Sequence, residues 1–427
     1  MDSMNGTQLY GISKLAAVLR MGFNRELKGL SLKKKLALNY VSKESKLTLL
    51  NNRIFSNTFT PYFPSHAYDR FLKGVKAISS GYPIPIVTNF AVTAKCPCNC
   101  WHCSFADRPR NMMLDFNTLQ QAIEDAQELG SSVIGLTGGE PLLRDDLEDI
   151  IAAIDDRSMP ILFSTGYGLT TERVKALKKA GLEIPVISLD SYNPHIHDQG
   201  RRKDGMFDSA LRAIRLFREE GFYVAVSFVP DRKLVDNVPE LYRTIRFFKD
   251  LGVNDMRLTS PILSGRLTEK AEEKLSPENV KTIIDLQKMC TRTPGYPGVF
   301  AYDFFENEDY YGCGAGYNYM FIDAEGNVCP CDFTMLSFGN IHDKALGDIW
   351  DETSRAFSVP GCSCYANKCS GKMAEVKPDT WPVKGDQARE VLKDCPPYDK
   401  KKIPEFYRRM GLHLQKRFMS SKESSEE

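Results

Sequence analysis

Between residues 86 and 265 six short apolar, β-branched runs, PIVTNFAVTA, SSVIGLTGG, PILFSTG, IPVISLD, YVAVSFV and DMRLTSPIL, alternate with stretches of helical periodicity. Phe116, Leu119, Ile123, Ala126 and Leu129 recur at three- or four-residue steps after the first run, and Phe207, Leu211, Ile214 and Phe217 do so later. A strand that hands over to a helix and then to another strand must cross back to the same edge, so the series predicts a parallel sheet covered by helices, an α/β fold. Whether open or curled into a partial barrel, such a sheet gathers its ligands at the C-terminal ends of its strands.

The chain is 427 residues long, room for two or three domains, and its texture changes on either side of this series. Four segments are expected: 1–85, a basic helical region; 86–300, the β/α unit; 301–397, rich in cysteine, Gly and Pro; and 398–427, a basic amphipathic helix with a polar tail. Ile12, Leu15, Leu19, Phe23, Leu27 and Leu30 form one helical stripe, and Ile403, Phe406, Met410, Leu414 and Phe418 form another. Residues 1–60 carry ten Lys/Arg against three Asp/Glu and residues 398–427 eight against five, while the whole chain has a net charge of +1. The body between the ends is therefore mildly acidic, and bulk charge selects no partner. The N-terminus lacks a signal-peptide pattern and no stretch reads as a bilayer span. A cytoplasmic protein is expected, with peripheral placement on the inner face of the membrane kept open. In such a compartment the twelve cysteines point to metal or redox chemistry rather than disulfides.

After the first strand, Cys96, Cys100 and Cys103 stand as CxxxCxxC. Three thiolates on one short loop can hold three corners of an iron–sulfur cubane and leave the fourth iron open. A structural zinc site is the alternative, since zinc also favours thiolates. Cys98 falls inside the motif and is read as a packed thiol. Cys290, on a helical stretch, is read as core.

This motif resembles the signature of the radical S-adenosylmethionine (radical SAM) superfamily. The resemblance implies a partial (β/α)6 TIM-type barrel, a SAM-binding 4Fe–4S cluster on Cys96, Cys100 and Cys103, and SAM on the open iron. Gly138, Gly139 and Glu140 resemble the family's GGE turn, whose backbone and Glu bind the SAM amino group. His102 stands where the family places an aromatic group beside adenine. Ser164, Thr165, Ser188 and Asp190, at strand ends, suit ribose or substrate, although such residues also cap turns. HDQGRRKDGMFD resembles a stretch in which an arginine meets the SAM carboxylate; Arg201 aligns with it, but Arg202 replaces the usual glycine and leaves open which of the two reaches the ligand.

From Cys313 the chain resembles the opening of the SPASM domain, an appendage that carries auxiliary 4Fe–4S clusters. Cys331 follows Gly326 at the family's spacing, whereas Cys362, Cys364 and Cys369 depart from its pattern and Lys372 stands near a missing ligand. Cys313, Cys331, Cys362, Cys364, Cys369 and Cys395 are the auxiliary candidates, with Cys329 weaker. Seven thiols cannot give two clusters four ligands each, so at least one complete auxiliary cluster is expected; a zinc ribbon is the alternative.

The implied activity is reductive cleavage of SAM to a 5′-deoxyadenosyl radical and hydrogen abstraction from an unactivated C–H bond, fed by an electron donor such as flavodoxin or ferredoxin. Relatives with this C-terminal domain often modify ribosomal peptides and often grip a leader with an N-terminal winged-helix module. Residues 1–85 show no strand-and-hairpin pattern for such a module, and their basic amphipathic stripes fit a membrane surface. The first expectation is thus a hydrophobic, membrane-resident substrate such as a lipid or isoprenoid chain, the second a peptide or protein. A zinc-stabilised scaffold is the non-enzymatic alternative, and no motif supports nucleic-acid binding.

Overall fold

The computed structural model describes residues 6–43, 45–106, 109–376, 381–397 and 402–412. Three short strands open the chain: β1 (Thr7–Leu9), β2 (Leu47–Leu50) and β3 (Arg53–Phe55), paired antiparallel in that order. Helices α1 (Gly11–Gly22) and α2 (Leu32–Lys43) lie between β1 and β2, and α3 (His66–Ser79) follows β3. This corrects the expectation of a purely helical N-terminal region. The reason lies in the turn: Asn51 and Asn52 adopt φ values of 50° and 62°, the left-handed pair that matches the twist of a two-residue hairpin. Leu50 therefore folds back onto Arg53 and Thr48 onto Phe55. The N-terminal region is thus a three-stranded antiparallel sheet with two helices between its first and second strands.

The two predicted apolar stripes have opposite fates. On α1 the buried residues are Ala17 and Met21, while Ile12 (87%), Leu15, Leu19 and Phe23 (81%) stay exposed, and Leu27 turns inward. Near the C-terminus, Phe406 and Met410 on the helix Glu405–Met410 are buried with Ala37, Val75, Ile78 and Tyr317. The described part of that end packs on the body of the protein. Leu414 and Phe418 lie outside the described residues.

All six predicted strands form: β4 (Val87–Thr93), β5 (Val133–Gly138), β6 (Met159–Ser164), β7 (Ile184–Ser188), β8 (Ala225–Phe228) and β9 (Asp255–Leu258). A seventh parallel strand, β10 (Gly298–Ala301), pairs with β9 and straddles the expected 300/301 border. On the other edge, β11 (Tyr319–Ile322) runs parallel to β4, followed by β12 (Asn327–Cys329) and β13 (Gly339–Asn340) in antiparallel pairing. The sheet order is β10-β9-β8-β7-β6-β5-β4-β11-β12-β13. The cysteine-rich segment thus extends the sheet of the partial barrel.

Side chains alternate across it. Ile134, Leu136, Leu162, Ile187, Val224 and Val226 join the core under the helices. Val133, Ile161, Val186, Tyr223 and Ala225 form a separate inner cluster, into which the N-terminal module inserts Leu50, Phe55 and Phe59. Polar contacts hold the module there. Thr58 donates its N–H (2.8 Å) and hydroxyl (2.7 Å) to the buried Asp255 carboxylate, Lys46 donates to the carbonyls of Thr293 and Tyr296, and Arg53 pairs with Glu183 at 2.7 Å. The inner end of the barrel is closed by the chain's own first domain, which leaves the C-terminal strand ends as the entrance.

Candidate active site

The loop after β4 brings Cys96, Cys98, Cys100 and Cys103 to a cavity of about 370 Å³, shared with Gly138, Gly139, Ser164, Ser188 and Arg201. Backbone contacts fix the loop. Asn99 N–H donates to the Arg201 carbonyl (3.0 Å), Trp101 N–H to that of Gly200 (3.1 Å), and Arg266 N–H to that of Cys103 (3.1 Å). Arg110 donates to the Cys96 carbonyl at 3.2 Å and to the Asn99 side chain at 2.9 Å. At Gly265, φ is +57° and a Cβ would lie 2.4 Å from the Cys103 carbonyl, so only glycine allows this approach.

The thiols are not equivalent. Cys98, 3% exposed, shares its proton with Cys100 and Cys96, which drives its own pKa far up. The hydrogen bond from Cys98 lowers Cys100 well below the usual thiol range against the effect of burial, with help from Arg201 and His102; Cys96 is lowered for the same first reason. Burial pushes Cys103 up to about 11. Two prospective ligands are therefore biased toward thiolate, the form that binds metal, with Cys98 as the protonated donor between them. Among the described residues no three His, Cys, Asp or Glu side chains close round a single ion.

At the end of β5 the glycines serve the fold as well as the cavity. A Cβ on Gly138 would lie 2.3 Å from the Thr93 carbonyl and one on Gly139 2.1 Å from that of Lys95. The Glu140 carboxylate is buried and committed within the protein. It accepts from Leu142 N–H (3.1 Å), the Ser164 hydroxyl (2.7 Å), Thr165 N–H (2.7 Å) and the Thr165 hydroxyl. It ties the turn after β5 to the end of β6, so the cavity meets the Gly138–Gly139 backbone and not the Glu140 side chain. The carboxylate expected to meet an ammonium group and the Ser164 hydroxyl are here hydrogen-bonded to each other.

Asp190 stands behind Arg201. Its carboxylate pairs with the guanidinium at 2.5 Å, accepts from Val229 N–H, and lies 3.8 Å from His102 Nε2. Burial opposes both charges of the pair, but Arg201 and His102 keep Asp190 well below the usual carboxylate range, and Asp190 with the Cys100 thiolate keeps Arg201 charged. Arg201 also reaches Cys100 Sγ at 3.7 Å. Arg202 is exposed and occupies the left-handed position, φ 51°, that ends the helix Pro194–Arg201. Of the two arginines Arg201 faces the cavity. His102 Nε2 and Arg201 Nε are buried with no hydrogen-bond partner among the described residues, and both residues line the cavity. The donor set thus has hydrogen bonds left for a polar ligand beside the cysteines.

The second cysteine group divides. Cys313, Cys331 and Cys364 line a separate cavity of about 160 Å³. Cys369 and Cys395 lie together beside Tyr365, whose hydroxyl donates to the Cys395 carbonyl at 2.9 Å. Cys362 is half-buried and outside the lining of that cavity. Cys329 is 1% exposed and packs with Ala91, Ala94 and Phe321 in an apolar layer that runs across β4, β11 and β12. Lys372, near the missing ligand's place, forms surface ion pairs with Asp394 and Glu375.

Among the residues unread in the sequence that also line the first cavity are Asn89, Arg257, Asp332 and Phe333. Arg257 is 8% exposed, boxed by Phe59, Phe163 and Tyr302 with ring centroids 4.9–5.8 Å from its guanidinium carbon. Asp332 accepts from Tyr319 Oη (2.8 Å) and Asn89. Asp332 and Phe333 line both cavities, so the two cavities share a wall. The available signal was a charge inside an apolar parallel strand, Arg257 in DMRL.

A cysteine loop over a parallel half-barrel, with its sheet continued by a cysteine-rich hairpin, defines an enzyme class built round an iron–sulfur centre. Residues 90–248 match the radical SAM superfamily and residues 313–370 match the SPASM family, an iron–sulfur cluster-binding domain. The chain belongs to the radical SAM superfamily, in the branch that carries a SPASM domain. That membership brings a SAM-binding 4Fe–4S cluster, auxiliary iron–sulfur clusters and SAM. An AdoMet-dependent heme synthase of Methanosarcina barkeri (strain Fusaro / DSM 804) is 25% identical over 325 residues, covering 67% of this chain and 90% of the relative. A PqqA peptide cyclase of Ruegeria pomeroyi (strain ATCC 700808 / DSM 15171 / DSS-3) is 27% identical over 339 residues, 71% of this chain and 89% of the relative. Streptococcus suis SuiB bound to S-adenosylmethionine shares the fold, with a TM-score of 0.55 at 16% identity over 74% of this chain and 80% of that one. No helix among the described residues is long and apolar enough to cross a membrane.

Proposed function

We propose that this chain is a radical SAM maturase acting on a ribosomally made peptide or protein. Cys96, Cys100 and Cys103 hold the SAM-binding cluster, the Gly138–Gly139 backbone faces the SAM ammonium, Arg201 takes its carboxylate and His102 lies beside the nucleoside. A reduced cluster with SAM supplies a 5′-deoxyadenosyl radical able to take hydrogen from an unactivated C–H bond. The protein's part is placement and exclusion of water. Asp190 and Cys100 hold Arg201 in place, Glu140 locks the turn after β5, and Phe59 with the inner cluster closes the barrel from below. The reducing electron comes from a donor of the flavodoxin or ferredoxin type.

The observation that carries the peptide reading is the kinship with a PqqA peptide cyclase; the helix-and-hairpin module of residues 7–55, placed ahead of the barrel, supports it. A second reading, a lipid or isoprenoid chain at a membrane surface, has one observation in its favour: the exposed Ile12, Leu15, Leu19 and Phe23 on a basic module.

Two measurements test these readings. Anaerobically reconstituted protein with SAM and dithionite should yield 5′-deoxyadenosine, and Cys96→Ala, Cys100→Ala and Cys103→Ala should each reduce the yield to background; a chain that holds iron but never cleaves SAM refutes the enzymatic reading. Mass spectrometry of peptide and lipid extracts should then compare cells carrying the wild-type chain with cells carrying the triple alanine variant. A peptide changed by whole hydrogens supports the first reading. Changes confined to lipids would sink it in favour of the second.

A further inference from the structure

The auxiliary group lacks a cysteine where the family's pattern expects its last one, and Lys372 near that place is tied into surface ion pairs. Three thiols, Cys313, Cys331 and Cys364, nevertheless share one cavity. The backbone brings them together by pairing Cys313 with Gly361, N–H to carbonyl in both directions at 2.7 and 3.1 Å, which sets Cys364 three residues from the bridge. Three thiolates fill three corners of a cubane and leave one iron without a protein ligand.

Two carboxylates line the same cavity, and they differ in their commitments. Asp332 is occupied by Tyr319 and Asn89. Glu306 follows the short helix Tyr302–Phe305, and among the described residues nothing donates a hydrogen bond or forms an ion pair to its carboxylate. Arg257 acts on it only at a distance, while Glu306 itself acts on the thiols of both Cys313 and Cys364. Glu306 therefore has its carboxylate oxygens unspent in the cavity it shares with the three thiols.

We propose that Glu306 is the fourth protein ligand of an auxiliary iron–sulfur cluster held by Cys313, Cys331 and Cys364. The assignment rests on the reading that these three cysteines bind a cluster. A carboxylate is a harder, less electron-donating ligand than a thiolate, so this centre should be easier to reduce than an all-cysteine equivalent. The shared wall of Asp332 and Phe333 would place it next to the SAM cavity.

The test uses the full chain carrying Cys96→Ala, Cys100→Ala and Cys103→Ala, so that only auxiliary centres contribute. The reduced protein is examined by electron paramagnetic resonance and redox titration, and the signal lost on adding Cys331→Ala identifies the centre in question. Adding Glu306→Ala should change the g-values of that signal or convert it to a three-iron form, with loss of about one iron per centre. Adding Glu306→Cys should restore a four-iron centre at a lower midpoint potential, a rescue that a merely misfolded variant would not show. If Cys331→Ala removes no signal, the cluster reading and the assignment fall together. If it removes one whose g-values and potential are left unchanged by Glu306→Ala, the assignment alone is overturned.

Discussion

His197 shows how closely protonation and geometry are matched round the cavity. Its ring is 1% exposed, and Nδ1 accepts the Asp190 N–H at 3.1 Å, so the fold needs a neutral imidazole at that atom. Burial, the largest influence, lowers its pKa to about 4 despite the nearby Asp190 charge. An unfolded chain titrates near the ordinary value of about 6.5 and binds the extra proton between the two. The contribution to stability is therefore complete above about pH 6.5 and is lost as pH falls toward 4, a loss of up to about 3 kcal/mol. Urea unfolding across that range should show the slope, and His197→Asn, whose amide oxygen can accept the same N–H, should flatten it. An unaltered slope in the variant assigns the acid sensitivity to another group. The cysteines stood out as a group because CxxxCxxC is a ligand spacing, and Arg201 only through its resemblance to a known stretch; the structure brings them to one cavity. The hydrogen bonds of the Glu140 carboxylate were not legible, since its four donors come from its own turn and from the end of β6, and only folding brings those together.

Arg202 sits where a helix ends in the left-handed conformation that glycine adopts without strain. An L side chain there costs about 1–2 kcal/mol. Arg202→Gly should therefore raise stability by about 1 kcal/mol, part of the gain being offset by the freer unfolded chain, read as a higher denaturation midpoint; a lower midpoint means that the exposed guanidinium has a partner worth more than the strain. The six barrel strands were legible because strands buried on both faces are nearly continuous apolar runs. β10, only Gly298–Ala301, is too short and too close to Gly and Pro to stand out, and it forms because β9 offers a parallel edge. The N-terminal sheet was hidden by its neighbours. Strands of three or four residues carry little periodicity, and the flanking stripe on α1 dominated the pattern, although Asn51-Asn52 between LTLL and RIF was a hairpin signal in plain view.

Three parts of the chain are fastened together more firmly than their sequence borders imply. Phe59, from the segment after the hairpin, packs against Phe163, Phe300 and Tyr302 inside the barrel. Phe59→Ala should cost about 3–5 kcal/mol and loosen the box round Arg257, so that thermal stability and the yield of 5′-deoxyadenosine fall together. Full stability in that variant would show that the module merely rests on the barrel. At the opposite edge, Tyr319–Ile322 is hydrogen-bonded along Val87–Phe90, in the strand that leads into the cysteine loop. A chain ended after residue 300 would expose a long run of unpaired peptide groups on that strand, a template for sticking to its own copies. The border between the two halves is consequently a poor place to cut this gene into two separately expressed pieces.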